Sequence, residues 1–134
     1  MTKTIYLVNP PDKGMLSGFP GALLFLKAWL RMATPEVDVQ YIDLAISKKD
    51  RKPVKGTKNA IIEELSEYNI EEGAIYALTS TTATYQNAVQ AARAIKEIDS
   101  IATTILGGHH AMHQANQVLY WHPEIDYCVL GEGE

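Results

Sequence analysis

The sequence predicts an α/β fold: a five-stranded parallel sheet with helices packed on both faces. Three observations predict it. Five short β-rich runs recur along the 134 residues. Between them lie stretches whose apolar residues recur at helical spacing. The runs end in proline, glycine or hydroxyl residues, which punctuate regular structure. Strictly alternating strands and helices make neighbouring strands parallel, and right-handed crossovers then distribute the helices over both faces.

The first run, TIYLVN over residues 4–9, reads as a buried strand. Pro10, Pro11, Gly14, Gly18 and Gly21 break it into a loop. Pro20 suits the first turn of a helix, where its missing donor costs little. Leu23, Leu26 and Leu30 then recur at helical spacing, with Trp29 beside them. Residues 37–42 (VDVQYI) alternate at period two and read as the second strand. A long polar loop over residues 43–56 follows. Six of the twelve basic residues fall between positions 48 and 58, and this cluster reads as a solvated loop. Ile61, Ile62, Leu65 and Tyr68 mark the second helix. The third strand is AIYALT, residues 74–79, followed by a hydroxyl-rich turn from Ser80 to Thr84 that suits a helix cap. Ala88, Ala91, Ala92, Ile95 and Ile98 give the third helix a narrow face suited to close packing on a sheet. Residues 103–106 form the fourth strand, ended by Gly107-Gly108. A short helix over residues 114–120 leads to the fifth strand, IDYCVL, residues 125–130.

The expected strand order is 2-1-3-4-5, the flavodoxin-like (Rossmann-like) three-layer arrangement. Such a fold ordinarily has a last helix after strand five, and only Gly131-Glu132-Gly133-Glu134 remain for it. One sheet face is therefore expected to be partly uncovered, and residues 1–134 to be one domain, the N-terminal part of a longer protein.

Composition narrows the function. Apolar residues make up 46% of the chain, enough for a buried core. A net charge of −4 argues against nucleic acid as partner, which favours a basic stripe. The single cysteine, Cys128, forms no intrachain disulfide, which points to a reducing cytoplasm. One thiol also cannot hold an iron–sulfur cluster. No apolar run reaches the length of a membrane span, and no secretory signal pattern opens the chain.

In an open parallel sheet, ligands bind beyond the carboxyl ends of the strands. The unusual residues concentrate there. Gly107-Gly108 removes two side chains where a strand meets its loop, either for a tight turn or for a ligand passing over bare backbone. Ser80, Thr81, Thr82 and Thr84 offer hydroxyls for capping or for a ligand's amides or phosphate. Tyr85 is placed to stack or to pack. His109, His110 and His113 form a cluster which, with Glu132, raises a zinc site. Consecutive loop histidines tend to point apart, which favours solvated or ligand-contacting roles over a metal. His122, before Pro123, reads as structural. Cys128 lies in an apolar run and reads as core packing. A phosphoacceptor site at Asp12 is disfavoured because strand three ends in Thr79-Ser80 and offers no aspartate.

In order, the loop motifs are Val8-Asn9-Pro10-Pro11, Phe19-Pro20-Gly21-Ala22-Leu23-Leu24, Thr79-Ser80-Thr81-Thr82, Leu106-Gly107-Gly108-His109-His110-Ala111, His122-Pro123-Glu124-Ile125-Asp126-Tyr127 and Gly131-Glu132-Gly133-Glu134. This series resembles the N-terminal cobalamin-binding domain of radical SAM proteins over nearly the whole chain. The resemblance implies cobalamin lying across the carboxyl ends of the strands. Its contacts would be Asn9, Pro10, Gly14, Ser80, Thr81, Thr82, Tyr85, Gly107, Gly108, His110, Gly131, Glu132 and Gly133. The nucleotide tail would pass near Ser80–Thr82 and over Gly107-Gly108. It further implies a partner barrel in the same parent chain that holds an iron–sulfur cluster and S-adenosylmethionine and often performs methyl transfer. Other cobalamin domains carry D-x-H-x-x-G after strand one, with the histidine on cobalt. Here that loop reads Asn9-Pro10-Pro11-Asp12-Lys13-Gly14, and no histidine precedes His109. Cobalamin would therefore lack that ligand, as is common in the radical SAM branch. Two alternatives stand beside this reading: a cobalamin-free structural or interaction domain of the same fold, and a metal-binding protein built on the histidine cluster.

Overall fold

A computed structural model describes residues 3–12, 21–80 and 84–129, with the backbone alone at residues 21, 22 and 109–113. Nine elements alternate in the expected order. They are β1 (Thr4–Asn9), α1 (Gly21–Ala33), β2 (Asp38–Asp43), α2 (Lys58–Leu65), β3 (Ile75–Thr79), α3 (Tyr85–Ile98), β4 (Thr103–Gly107), α4 (His109–Trp121) and β5 (Tyr127–Cys128). All pairings are parallel, and the sheet order is β2-β1-β3-β4-β5. This is the flavodoxin-like fold. Among the described residues no helix is long and apolar enough to cross a membrane.

Strand periodicity divides the sheet into two unlike faces. Tyr6, Val8, Ile42, Tyr76, Leu78, Thr104 and Leu106 point to one side and are buried. There α2 and α3 cover them through Ile61, Leu65 and the small face of α3, where Ala88, Ala91, Ala92 and Ile95 are fully buried. Small side chains let the helix axis approach the sheet closely. On the opposite face, α1 packs Leu23, Leu26 and Leu30 over Leu7 and Val39. It covers the β1–β2 half only. Ile75, Ala77, Thr79, Thr103, Ile105 and Gly107 stay half-exposed there, and Tyr127 is 61% exposed. Among the described residues, the expected uncovered face is therefore present over β3 to β5.

Several boundaries differ from the sequence reading. Strand two runs one residue later, because Asp43 pairs with Asn9. Tyr68 lies beyond α2, which ends at Leu65 with Ser66 as its C-cap, and reaches the core from a turn. The polar loop after β2 is anchored: Leu44 and Val54 are buried, and an antiparallel bridge joins Ile46 to Pro53. The fourth helix starts at His109 and not at 114, since Gly108 turns the chain straight into it. Non-helical dihedrals at Gln114 mark a kink at the position where the sequence reading began the helix. Strand five pairs over Tyr127 and Cys128 alone among the described residues, and Leu130 lies outside them. Ile98, expected on the packed face of α3, is 43% exposed at its last turn.

Two polar features of the sheet yield predictions. The stacked rings of Tyr6 and Tyr76 lie 5.1 Å apart in the core. The Tyr6 hydroxyl accepts from the Glu71 amide at 2.9 Å, whereas the buried Tyr76 hydroxyl has no hydrogen-bond partner among the described residues. Tyr76→Phe should thus be neutral or stabilise by up to about 1 kcal/mol, and Tyr6→Phe should cost about 1 kcal/mol. Urea midpoints of the two variants check the contrast.

Beside Tyr76, on the neighbouring strand β4, the Thr104 amide donates to Asp126 Oδ2 at 2.9 Å, and Lys96 Nζ donates to the same oxygen at 2.7 Å. Burial pushes this carboxyl up, but those bonds outweigh it and hold it below the usual carboxylate range. A depressed folded pKa contributes stability above the unfolded value, near 4, that is lost as pH falls through the folded value. Asp126→Asn should cost on the order of 1 kcal/mol at pH 7, a gap that closes below about pH 4. Denaturation curves of both proteins from pH 7 to pH 3 measure it.

Candidate ligand site at the strand ends

The carboxyl ends of β1, β3 and β4 converge because the order reverses between β1 and β3. The first loop is set by three bonds. Asn9 Nδ2 donates to Asp43 Oδ1 at 3.1 Å, the Leu44 amide donates to the Asn9 carbonyl at 2.8 Å, and the Pro11 carbonyl accepts from Asn87 Nδ2 at 2.6 Å. Pro10 and Pro11 are buried beneath it.

Gly107 and Gly108 are adjacent but differ in role. Gly108 has φ +96° and its backbone lies on that of Ser80; a Cβ there would collide with the Ser80 carbonyl oxygen and stand 2.9 Å from its nitrogen. Ser80 is 1% exposed, and both its amide (3.1 Å) and its hydroxyl (3.3 Å) donate to the Gly107 carbonyl. Together these contacts clasp the ends of β3 and β4. Gly107 pairs with Thr79 and faces the half-uncovered side, where a Cβ would meet nothing within 4 Å among the described residues. The site therefore has a rigid rim and, beside Thr79, an unfilled floor.

The other expected residues fall in different places. Tyr85 opens α3 and packs against the covered core, with its ring edge-on to His122 at 5.5 Å; burial pushes its hydroxyl pKa up. His122 caps α4 with its Nδ1 3.4 Å from Glu124 Oε1, beyond good hydrogen-bond geometry, which supports a structural role. Thr84 is the N-cap residue of α3, yet its side chain makes no capping bond. His109, His110 and His113 belong to the first turns of α4 and not to a loop; their side chains, like Gly14, Thr81, Thr82, Gly131, Glu132 and Gly133, lie outside the described residues. Among the described residues no three His, Cys, Asp or Glu side chains gather as a metal site. Cys128 is half-buried against the core, and burial pushes its thiol pKa up, which makes it a poor nucleophile.

Asn87 was not singled out by the sequence. It sits on the packed side of a helix otherwise lined with alanine, and a buried asparagine among alanines was the one available signal.

A family comparison decides which ligand class this architecture serves: the model for the B12 binding domain matches residues 17–134. The chain belongs to the B12-binding domain family. The matched stretch begins after β1 and after Asn9–Gly14, the segment in which the D-x-H-x-x-G pattern is missing. No curated protein matches the chain. At the strand ends of this B12-binding domain, Gly107 carries no side chain on the half-exposed face, Thr79 and Ala77 present small side chains along the same face, and Ser80 is bonded to the Gly107 carbonyl.

Proposed function

We propose that this domain binds cobalamin with no first-loop histidine below the cobalt, as the cofactor module of a cytoplasmic radical SAM enzyme that performs methyl transfer or a related radical reaction. The observation that carries the binding reading is Gly107: a strand-end glycine facing open space on the uncovered face, beside a rim locked by Gly108 and Ser80. Family membership supports the cofactor's identity. The loop motifs and the absence of D-x-H-x-x-G support the radical SAM branch. When bound, cobalamin supplies a cobalt centre able to carry a one-carbon unit.

The chain's own residues hold and orient it. Asn9, Pro10 and Pro11 set the first loop, and Gly107 and Thr79 floor the path of the nucleotide tail. Thr81, Thr82, His110 and the Gly131-Glu132-Gly133 segment complete the contacts in this reading. The cluster cysteines and S-adenosylmethionine belong to the partner barrel, since Cys128 is a lone core thiol.

Titration of cob(II)alamin with the domain tests this. The expected result is a visible-spectrum change to the base-off form and an electron paramagnetic resonance signal without nitrogen splitting, because neither the tail base nor a histidine reaches cobalt. No spectral change at high protein concentration, in both oxidised and reduced states, would sink the binding reading. The radical SAM assignment has its own check: coding sequence downstream of Glu134 should contain C-x-x-x-C-x-x-C, and a gene that lacks it overturns that part.

A further inference from the structure

We propose that Asn87 is the positioning residue of the ligand mouth, fixing the first loop against α3 and against the loop that follows β2. Its link to the ligand rests on the cobalamin reading above.

The side chain is 8% exposed and stands on the third residue of α3. Nδ2 donates to the Pro11 carbonyl at 2.6 Å, a contact spanning 76 positions of sequence. A carbonyl only accepts, so the amide orientation is fixed by its partner. The amide oxygen lies over Gly56, where a Cβ would overlap it. One side chain thus touches three segments at the carboxyl end of the sheet: the β1–α1 loop, the β2–α2 loop and the start of α3. Its neighbours leave little slack. Pro10 and Pro11 are buried and have few backbone conformations of their own. Leu44 is tied to Asn9 on one side, and Val54 anchors the second loop on the other. The two prolines have no amide hydrogen to donate, and Asn87 holds this stretch by the Pro11 carbonyl. Gly56 is bare because Asn87 needs that room. The core face of α3 is otherwise apolar, with Ala88, Val89, Ala91, Ala92 and Ile95 buried, so packing alone does not call for an amide here; the first loop does.

Asn87→Ala removes the donor and keeps the helix. Asn87→Asp keeps the shape and sets a carboxylate oxygen against the carbonyl. Gly56→Ala displaces the amide from the opposite side. Each should weaken cobalamin binding by about tenfold and speed hydrogen exchange of the Asp12 amide by a similar factor. Adding Gly56→Ala to Asn87→Ala should change either quantity by less than about twofold, because the amide that the new methyl displaces is already gone. Ile95→Val, a core change in the same helix, serves as control: it lowers the melting temperature and should move neither readout. Equal cobalamin affinity in the native chain and Asn87→Ala overturns the proposal, as does an unchanged Asp12 exchange rate or a matching loss in Ile95→Val. Should the native chain bind no cobalamin, the cofactor reading has failed. Asp12 exchange then decides on Asn87: a non-additive tenfold change sustains it as the post of the first loop, and no change removes it.

Discussion

Gly108→Ala should destabilise the domain by about 3–5 kcal/mol. Two costs combine. At φ +96° and ψ −176° the backbone occupies a region open to glycine alone. The new Cβ would also overlap the Ser80 carbonyl oxygen. That oxygen is main chain and cannot swing aside as a side chain would. Relief requires parting β3 from β4 at the Ser80–Gly107 clasp, with loss of the 3.1 Å amide bond. For a domain of this length the melting temperature should fall by on the order of 10 °C. A Gly108→Ala protein melting within a few degrees of the native chain would show that the clasp is not as tight as drawn.

Gly107→Phe should do the reverse, leaving the fold intact and weakening ligand binding. A strand position tolerates an aromatic residue well, and a Cβ there meets nothing within 4 Å. Folding stability should stay within about 1 kcal/mol of the native chain, and Gly107→Ala should gain roughly 0.5–1 kcal/mol by restricting the unfolded backbone. The phenylalanine ring, however, fills the floor beside Thr79. Cobalamin affinity should drop by about a hundredfold, on the order of 3 kcal/mol. Calorimetric melting and a cobalamin titration on the same preparation separate the two effects. Native-like affinity in Gly107→Phe would place the ligand elsewhere.

The two glycines also show where sequence reading reaches its limit. Their occurrence at the end of a strand, beside a hydroxyl-rich turn, was enough to select them. Their division of labour was not, because adjacent strand residues face opposite sides and the register with Ser80 and Thr79 sets which side is open. Similarly, His109, His110 and His113 were read as loop because the helical period is clear only from Gln114 onward. The kink at that residue splits the helix in two, and the first part carries no apolar pattern of its own. Cys128 and His122 were placed correctly, since each sits in a local setting, an apolar run and an X-Pro turn.

By itself the sequence determined the order and parallel pairing of five strands, the close-packing face of α3, the half-covered sheet and the departure of the first loop from the cobalt-ligating pattern. All are local properties, encoded in periods of two or 3.6 residues or in short motifs. The tertiary structure alone decided the clasp between Ser80 and Gly107, the pairing of Asn9 with Asp43 and the post that Asn87 makes for Pro11, across separations of 27, 34 and 76 residues. Such contacts leave no periodic trace. They exist because a parallel sheet brings the ends of distant strands within a few ångströms of one another.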